Sequence, residues 1–228
     1  MALNLFNQFL APQHLGIPLT LPALIFPFIL ASLPPHPLWL SNRLFNLRQW
    51  LFLKGAHDLF TPLKKAGYKW IPLMVALLTY ITLLNTLGLL PYTFTPTTQL
   101  SITLSLATPL WLMTIGLGLK HQPSKTLAHL LPQGTPTALI PALVAIETIS
   151  LLIRPLALGV RLAANLTAGH LLMQLTAMAS FILLPSLPPL AALTGLLLVL
   201  LTLLEIAVAL IQPYVFVLLL TLYLDENI

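Results

Sequence analysis

Eight polar or ionisable side chains stand inside two apolar stretches of this sequence: Glu147, Arg154, Arg161, Asn165, His170, Gln174, Glu205 and Gln212. Carboxylates and imidazole can take up and release protons, whereas a guanidinium stays protonated in proteins. Such a set can relay protons around a fixed positive charge. Glu147, Arg154 and Arg161 are spaced by seven, which puts them on one helical face, and Asn165 continues that face four residues later. Ala157, Gly159, Ala163, Ala164 and Ala168 border the stripe and would let another helix approach closely. His170 follows Arg161 by nine residues, which turns it to nearly the opposite face. Glu205 and Gln212 share a face of the second stretch, so a His170–Glu205 pair across a hairpin is geometrically reasonable. An arginine at the centre of a membrane helix costs about 2.5–3.5 kcal/mol on insertion scales. No carboxylate lies within four residues of Arg161, so its partner is expected from another subunit.

Plainer roles fit some of these residues as well. Arg154 reads equally as a structural partner of Glu147 or as a boundary residue reaching for headgroups. His170 alone could be a packing histidine, and Gln174 reads as hydrogen-bonding glue between helices. Glu205 and Arg161 resist such readings, because each lies deep in an apolar run without a local partner. His14, His36, His57, His121 and His129 are scattered without paired spacing, which gives no metal site. Haem ligation would need a second histidine inside a span. Zero cysteines exclude disulfides and thiolate chemistry. No glycine-rich phosphate loop or nucleophile–base set occurs, so no cofactor and no bond chemistry are expected.

The elements that hold these residues are set by composition. Of 228 residues, 58% are hydrophobic and 7% charged, against about 25% charged in a soluble domain. Fifteen charged side chains cannot cover a water-facing surface, which excludes an ordinary soluble enzyme and leaves an integral membrane protein. The formal charge of +5 does not indicate nucleic acid, for there is too little polar surface to bind it.

The expected fold is all-α and membrane-embedded, one domain over residues 1–228, with about five membrane helices and one surface amphipathic helix. The first span is placed at 15–33, weakened by Pro18, Pro22 and Pro27, and a basic surface segment at 41–69, where Leu44, Leu47, Leu51 and Leu59 recur beside Arg43, Arg48, Lys54 and Asp58. Spans follow at 71–90 and 97–119, then a polar loop from Lys120 to Pro136. The segments 137–184 and 190–224 are overlong, at about 70 and 52 Å if helical. No polar turn splits the first of them. They are expected as a long, kinked, strongly tilted hairpin closed by the turn Pro185–Pro189.

Six of the ten basic residues lie between Arg43 and Lys69, and two more, Lys120 and Lys125, follow the next pair of spans. Basic loops stay on the cytoplasmic or matrix side, which places the N-terminus on the opposite side. The first 42 residues carry no charge, so neither a secretory signal nor an arginine-rich transit peptide is visible.

The runs from Glu147 to Leu172 (ETISLLIRPLALGVRLAANLTAGHLL) and from Leu203 to Leu224 (LLEIAVALIQPYVFVLLLTLYL) strongly resemble subunit a of the Fo sector of ATP synthase. The opening MALNLFNQF, the LPYTFTPTTQLS connection and the length are similar to the mitochondrial form, subunit 6, of the vertebrate type. The resemblance implies a stator subunit packed against a rotating ring of c subunits and the peripheral stalk, in the mitochondrial inner membrane, with the N-terminus toward the intermembrane space. It implies that Arg161 faces the ring carboxylates and separates two offset half-channels. His170 and Glu205 would belong to the half-channel from the intermembrane space, assisted by Asn165, Gln212 and Asp225, and Glu147 to the exit toward the matrix. Arg154 and Gln174 would be supporting residues. Ala163 departs from the threonine expected there. Synthesis inside the organelle, common in this family, would account for the missing transit peptide.

Two other classes compete. A secondary proton antiporter or a respiratory-complex subunit would place lysines and glutamates in broken helices with inverted repeats; here no lysine lies inside a span. A purely structural membrane subunit leaves Arg161 and Glu205 unexplained.

Overall fold

The computed structural model describes residues 9–10, 13–14, 17–32, 43–60, 65–90, 93–121, 123–128 and 139–227. Seven α-helices carry it: α1 (Thr20–Ser32), α2 (Arg43–Phe60), α3 (Ile71–Gly88), α4 (Leu100–His121), α5 (Pro123–Ala128), α6 (Ile140–Leu183) and α7 (Pro188–Asn227). A two-residue antiparallel ladder precedes them, β1 (Gln13–His14) against β2 (Ile17–Pro18), with Gln13 opposite Pro18 and His14 opposite Ile17. The 3-10 turns Lys65–Trp70 and Pro96–Thr98 introduce α3 and α4.

Four segments among the described residues are long and apolar enough to cross a membrane: Tyr68–Gly88, Leu100–His121, Ile140–Leu183 and Pro188–Asn227. The chain is a multi-pass membrane protein. Of the expected first span at 15–33, the structure describes residues 17–32. Its helix, α1, has 13 residues, about 20 Å long, where a crossing takes about 20 residues. Pro18 sits in β2, which delays the helix start to Thr20. The expected surface segment contains the 18-residue helix α2, with Leu47, Trp50 and Leu53 exposed along it and the Lys54 ammonium 4.9 Å from the Trp50 ring centre.

The overlong segments are two unbroken helices of 44 and 40 residues, with Pro155 and Pro213 inside them. Four residues join them, and the Leu187 N–H donates to the Leu183 carbonyl at 2.9 Å, so the chain reverses within one turn. Pro188 and Pro189 then open α7, where their missing N–H groups have no intrahelical role. At about 1.5 Å per residue the helices run roughly 66 and 60 Å, twice a hydrocarbon core of about 30 Å.

The core gathers α3, α4, the middle of α6 and the C-terminal half of α7: Ile71, Met74, Val75, Ile81, Ala107, Leu158, Leu162, Phe216, Val217, Leu220 and Leu224. The other half of the hairpin extends past this bundle, with Phe181, Ile182, Leu184, Leu193, Leu196 and Leu200 exposed. Standing upright, the hairpin would carry these side chains into water at on the order of 10 kcal/mol. A tilt of about 60° from the membrane normal keeps both helices within the core thickness.

Threonine and serine hydroxyls in the spans donate back to carbonyls three or four residues earlier, as Thr82 does to Thr79 and Thr221 to Leu218. That satisfies them without water. Small residues set the close approaches. A Cβ at Gly159 would lie 2.9 Å from Leu104 Cδ2 and 3.3 Å from the Thr103 carbonyl, so α4 and α6 pack almost backbone to backbone there.

Candidate functional site

Three polar contacts tie α6 to α7, and their order is that of an antiparallel pair. Nearest the turn, His170 Nε2 lies 3.7 Å from Glu205 Oε1. Next, Asn165 Nδ2 donates to Gln212 Oε1 at 2.8 Å. Toward the open end, Arg154 Nη1 donates to Glu226 Oε2 at 3.0 Å, and Nη2 lies 3.7 Å from Glu147 Oε1. The Arg154 guanidinium also lies 5.2 Å from the Tyr223 ring centre.

The two ends differ in burial. The Glu205 side chain is 3% exposed and that of His170 16%, whereas Arg154, Glu147 and Glu226 are 29, 38 and 49% exposed. Room for the Glu205 carboxyl comes from Gly169, where a Cβ would stand 2.8 Å from Oε1. Both Glu205 oxygens, His170 Nε2 and Gln174 Oε1 are buried without a hydrogen-bond partner among the described residues. Asn85 of α3 adds another such atom, Oδ1, while its amide donates to the Ala209 carbonyl one turn beyond Glu205 at 3.4 Å. Thr97, in the turn before α4, is buried with its hydroxyl likewise unpartnered. Groups of this kind inside an apolar fold are where ordered water is expected.

Arg161 lies between these two polar ends along α6. It is exposed on the surface of the single chain, as are Ala157, Ala164 and Ala168, and makes no ion pair among the described residues. The small-residue stripe expected around it divides: those three alanines flank Arg161, while Gly159 and Ala163 are buried inside the chain.

Asp225, expected to assist His170 and Glu205, lies 20 residues from Glu205 on the same helix, about 30 Å away along its axis. It belongs to the open end with Glu226 and Glu147. Glu226, Tyr223, Asn85 and Gly169 were not anticipated. The heptad from Glu205 to Gln212 continues at the same spacing to position 226, so Glu226 was within reach of the sequence pattern. Asn85 is the one amide in its span. Gly169 gives no sequence signal beyond preceding His170.

The open end of the hairpin is fixed against the rest of the fold. A Cβ at Gly118 would lie 2.8 Å from Thr126 Cγ2 and 3.0 Å from Asn227 Cβ, so the ends of α4 and α7 and the helix α5 converge. The end of α7 therefore shares a side with Lys120.

Comparisons agree with this architecture. The family model described as ATP synthase A chain matches residues 19–225. Relatives named ATP synthase F(0) complex subunit a are 60% identical in Struthio camelus, 58% in Latimeria chalumnae and 56% in Gadus morhua, each over 228 residues and the full length of both chains. With the match running through both long helices and the polar residues between them, this chain belongs to the ATP synthase A chain family.

Proposed function

We propose that this chain is the proton-conducting stator subunit of a rotary ATP synthase in the mitochondrial inner membrane, and that it performs no bond chemistry itself. The observation that supports this best is the placing of Arg161. It is an exposed, permanently charged side chain halfway along a membrane hairpin, between two polar clusters, with no carboxylate of its own helix pair opposite it. Its cost in lipid falls only if a partner supplies a negative charge, and the flanking alanines admit a partner helix. A ring of c subunits carrying carboxyl groups meets both needs.

Protons from the intermembrane space reach Glu205 by way of His170, in a part of the hairpin where both Glu205 oxygens and His170 Nε2 are buried without hydrogen-bond partners among the described residues. Transferred to a ring carboxylate, the proton neutralises it, and the neutral group can face lipid. After the ring has turned, the carboxylate gives its proton toward Glu147 at the open end of the hairpin, and the field of Arg161 favours the ionised form as it passes. Asn165 and Gln212, hydrogen-bonded to each other, hold the two helices in register between these events. Each charge crossing the membrane potential supplies about 2.3 kcal/mol per 100 mV. The basic ends of α3 and α4 and the end of α7 face the matrix in this reading, and the N-terminus faces the intermembrane space.

An antiporter built on broken helices is less consistent with α6 and α7, which run unbroken through their polar residues. The deciding experiment is Arg161→Ala in the assembled complex. Coupled ATP synthesis is expected to be lost while the complex still forms, and coupled synthesis at the normal rate would refute the assignment.

A further inference from the structure

Arg154 is the side chain that the proton path leaves without a task, yet it makes more specific contacts than any other cation described. One guanidinium nitrogen donates to Glu226 of α7 at 3.0 Å, another lies 3.7 Å from Glu147 on its own helix, and the planar group lies over the Tyr223 ring. A planar fork with several donors can engage two carboxylates at once and brace itself on an aromatic face. Lysine, a single point charge, serves such a site less well. We propose that Arg154 is the positioning residue of the exit: it holds Glu147 and Glu226 together at the mouth of the hairpin, so that the proton leaving the ring meets an acceptor at a fixed position. The proposal rests on the reading of Glu147 as the exit carboxylate.

The charge arrangement gives the reason. Glu147 and Glu226 come within reach of the same guanidinium from two different helices, and Asp225 stands beside Glu226 in the chain. Without the arginine, carboxylates gathered at one mouth repel one another and have nothing to hold them in place. With the arginine bridging the two helices, Glu147 is held at a defined position.

A merely structural role would be to tie α6 to α7, and a charge exchange separates the two roles. Arg154→Glu with Glu226→Arg keeps an ion pair between the helices but sets a carboxylate against Glu147. The test is proton conduction by the assembled complex in liposomes, with assembly measured alongside. Arg154→Gln is expected to assemble and to conduct about tenfold more slowly, because an acceptor no longer held in place loses the positioning that a transfer needs. Arg154→Lys is expected to restore part of that loss, and the exchanged pair to assemble without restoring conduction. Wild-type conduction in Arg154→Gln, or full recovery in the exchanged pair, would overturn the proposal. Should Arg154→Gln fail to assemble, Glu226→Gln replaces it: that variant frees one side of the guanidinium and is expected to conduct measurably more slowly, and unchanged conduction would overturn the proposal. Failure of the underlying reading shows up separately, as coupled synthesis persisting in Arg161→Ala.

Discussion

Replacing Gly169 with alanine adds one methyl group where the hairpin has no room for it. The new Cβ would stand 2.8 Å from Glu205 Oε1 and 3.1 Å from Cδ, so the carboxyl must retreat by about 0.6 Å to reach ordinary contact. Overpacking of this sort costs about 1–3 kcal/mol. The yielding group is the far end of a flexible side chain, which favours the low end of that range. Alanine meanwhile favours the helix by about 0.5–1 kcal/mol over glycine. The two effects nearly cancel, and the complex is expected to assemble.

Conduction should respond more strongly than stability. Oε1 is the oxygen that faces His170 Nε2 at 3.7 Å, and a misplacement of about 1 Å at a reacting group can cost about 100-fold. A displacement of little more than half that is expected to slow proton conduction about tenfold. The measurement is proton uptake into liposomes carrying the assembled membrane sector, driven by a potassium diffusion potential. Gly195→Ala is the control, since nothing lies within 4 Å of a Cβ there; it should conduct normally. Adding Glu205→Asp to Gly169→Ala relieves the clash by shortening the side chain, yet moves the carboxyl further from His170, so conduction should stay low. If Gly169→Ala conducts within about twofold of the Gly195→Ala control, the relay does not depend on the geometry at Glu205 in the manner argued.

Asn165 and Gln212 should be energetically coupled. A double-mutant cycle with leucine at both positions, read as thermal stability of the purified complex, is expected to give about 0.6–1.7 kcal/mol, the range for hydrogen bonds between membrane helices; additive effects would mean that the 2.8 Å contact does not tie the hairpin. Gly159→Leu should prevent α4 from seating on α6, because even a Cβ there meets Leu104 and the Thr103 carbonyl. The expected result is loss of assembled complex on native gels, and normal assembly would refute the close packing of the two helices.

The membrane class, the long hairpin and its turn could be read from the sequence because each rests on a strong, local physical signal. A long run without a polar turn has few structural options, and the proline-rich link Pro185–Pro189 marked the reversal, although Pro188 and Pro189 open α7 instead of belonging to the turn. Helical spacing put His170 and Glu205 on faces that could meet across a hairpin. What spacing could not supply was register between helices. Arg154 with Glu226, Asn165 with Gln212 and His170 with Glu205 are successive contacts of one antiparallel pair, and any one of them fixes the others to within about a turn. Asp225 was expected near Glu205 on the resemblance, which carries no register between the helices. Asn85 escaped for a different reason: its partner is the carbonyl of Ala209, and a backbone acceptor 124 residues away leaves no trace in side-chain chemistry.

The register also explains why the tilt matters to the mechanism. Along α7, Glu205 and Glu226 are 21 residues apart, about 31 Å of helix. In a hairpin tilted by about 60° that distance resolves into roughly 16 Å across the membrane and 27 Å within its plane. The two polar ends together therefore cover only about half of a 30 Å core, and no straight passage through both would join the two aqueous phases. Their separation is mainly sideways. In the proposed function, a proton arriving at Glu205 would have to pass laterally by Arg161 to reach Glu147, over a distance many times one hydrogen bond of about 3 Å. Between the clusters stand Arg161, which stays protonated, and the Asn165–Gln212 pair, set among apolar residues that carry no proton, and together they do not span that distance. A carboxyl group on a partner turning about an axis normal to the membrane can, and it would pass Arg161 once in each transit. In the proposed function the turning partner therefore supplies the lateral step that the hairpin by itself does not provide.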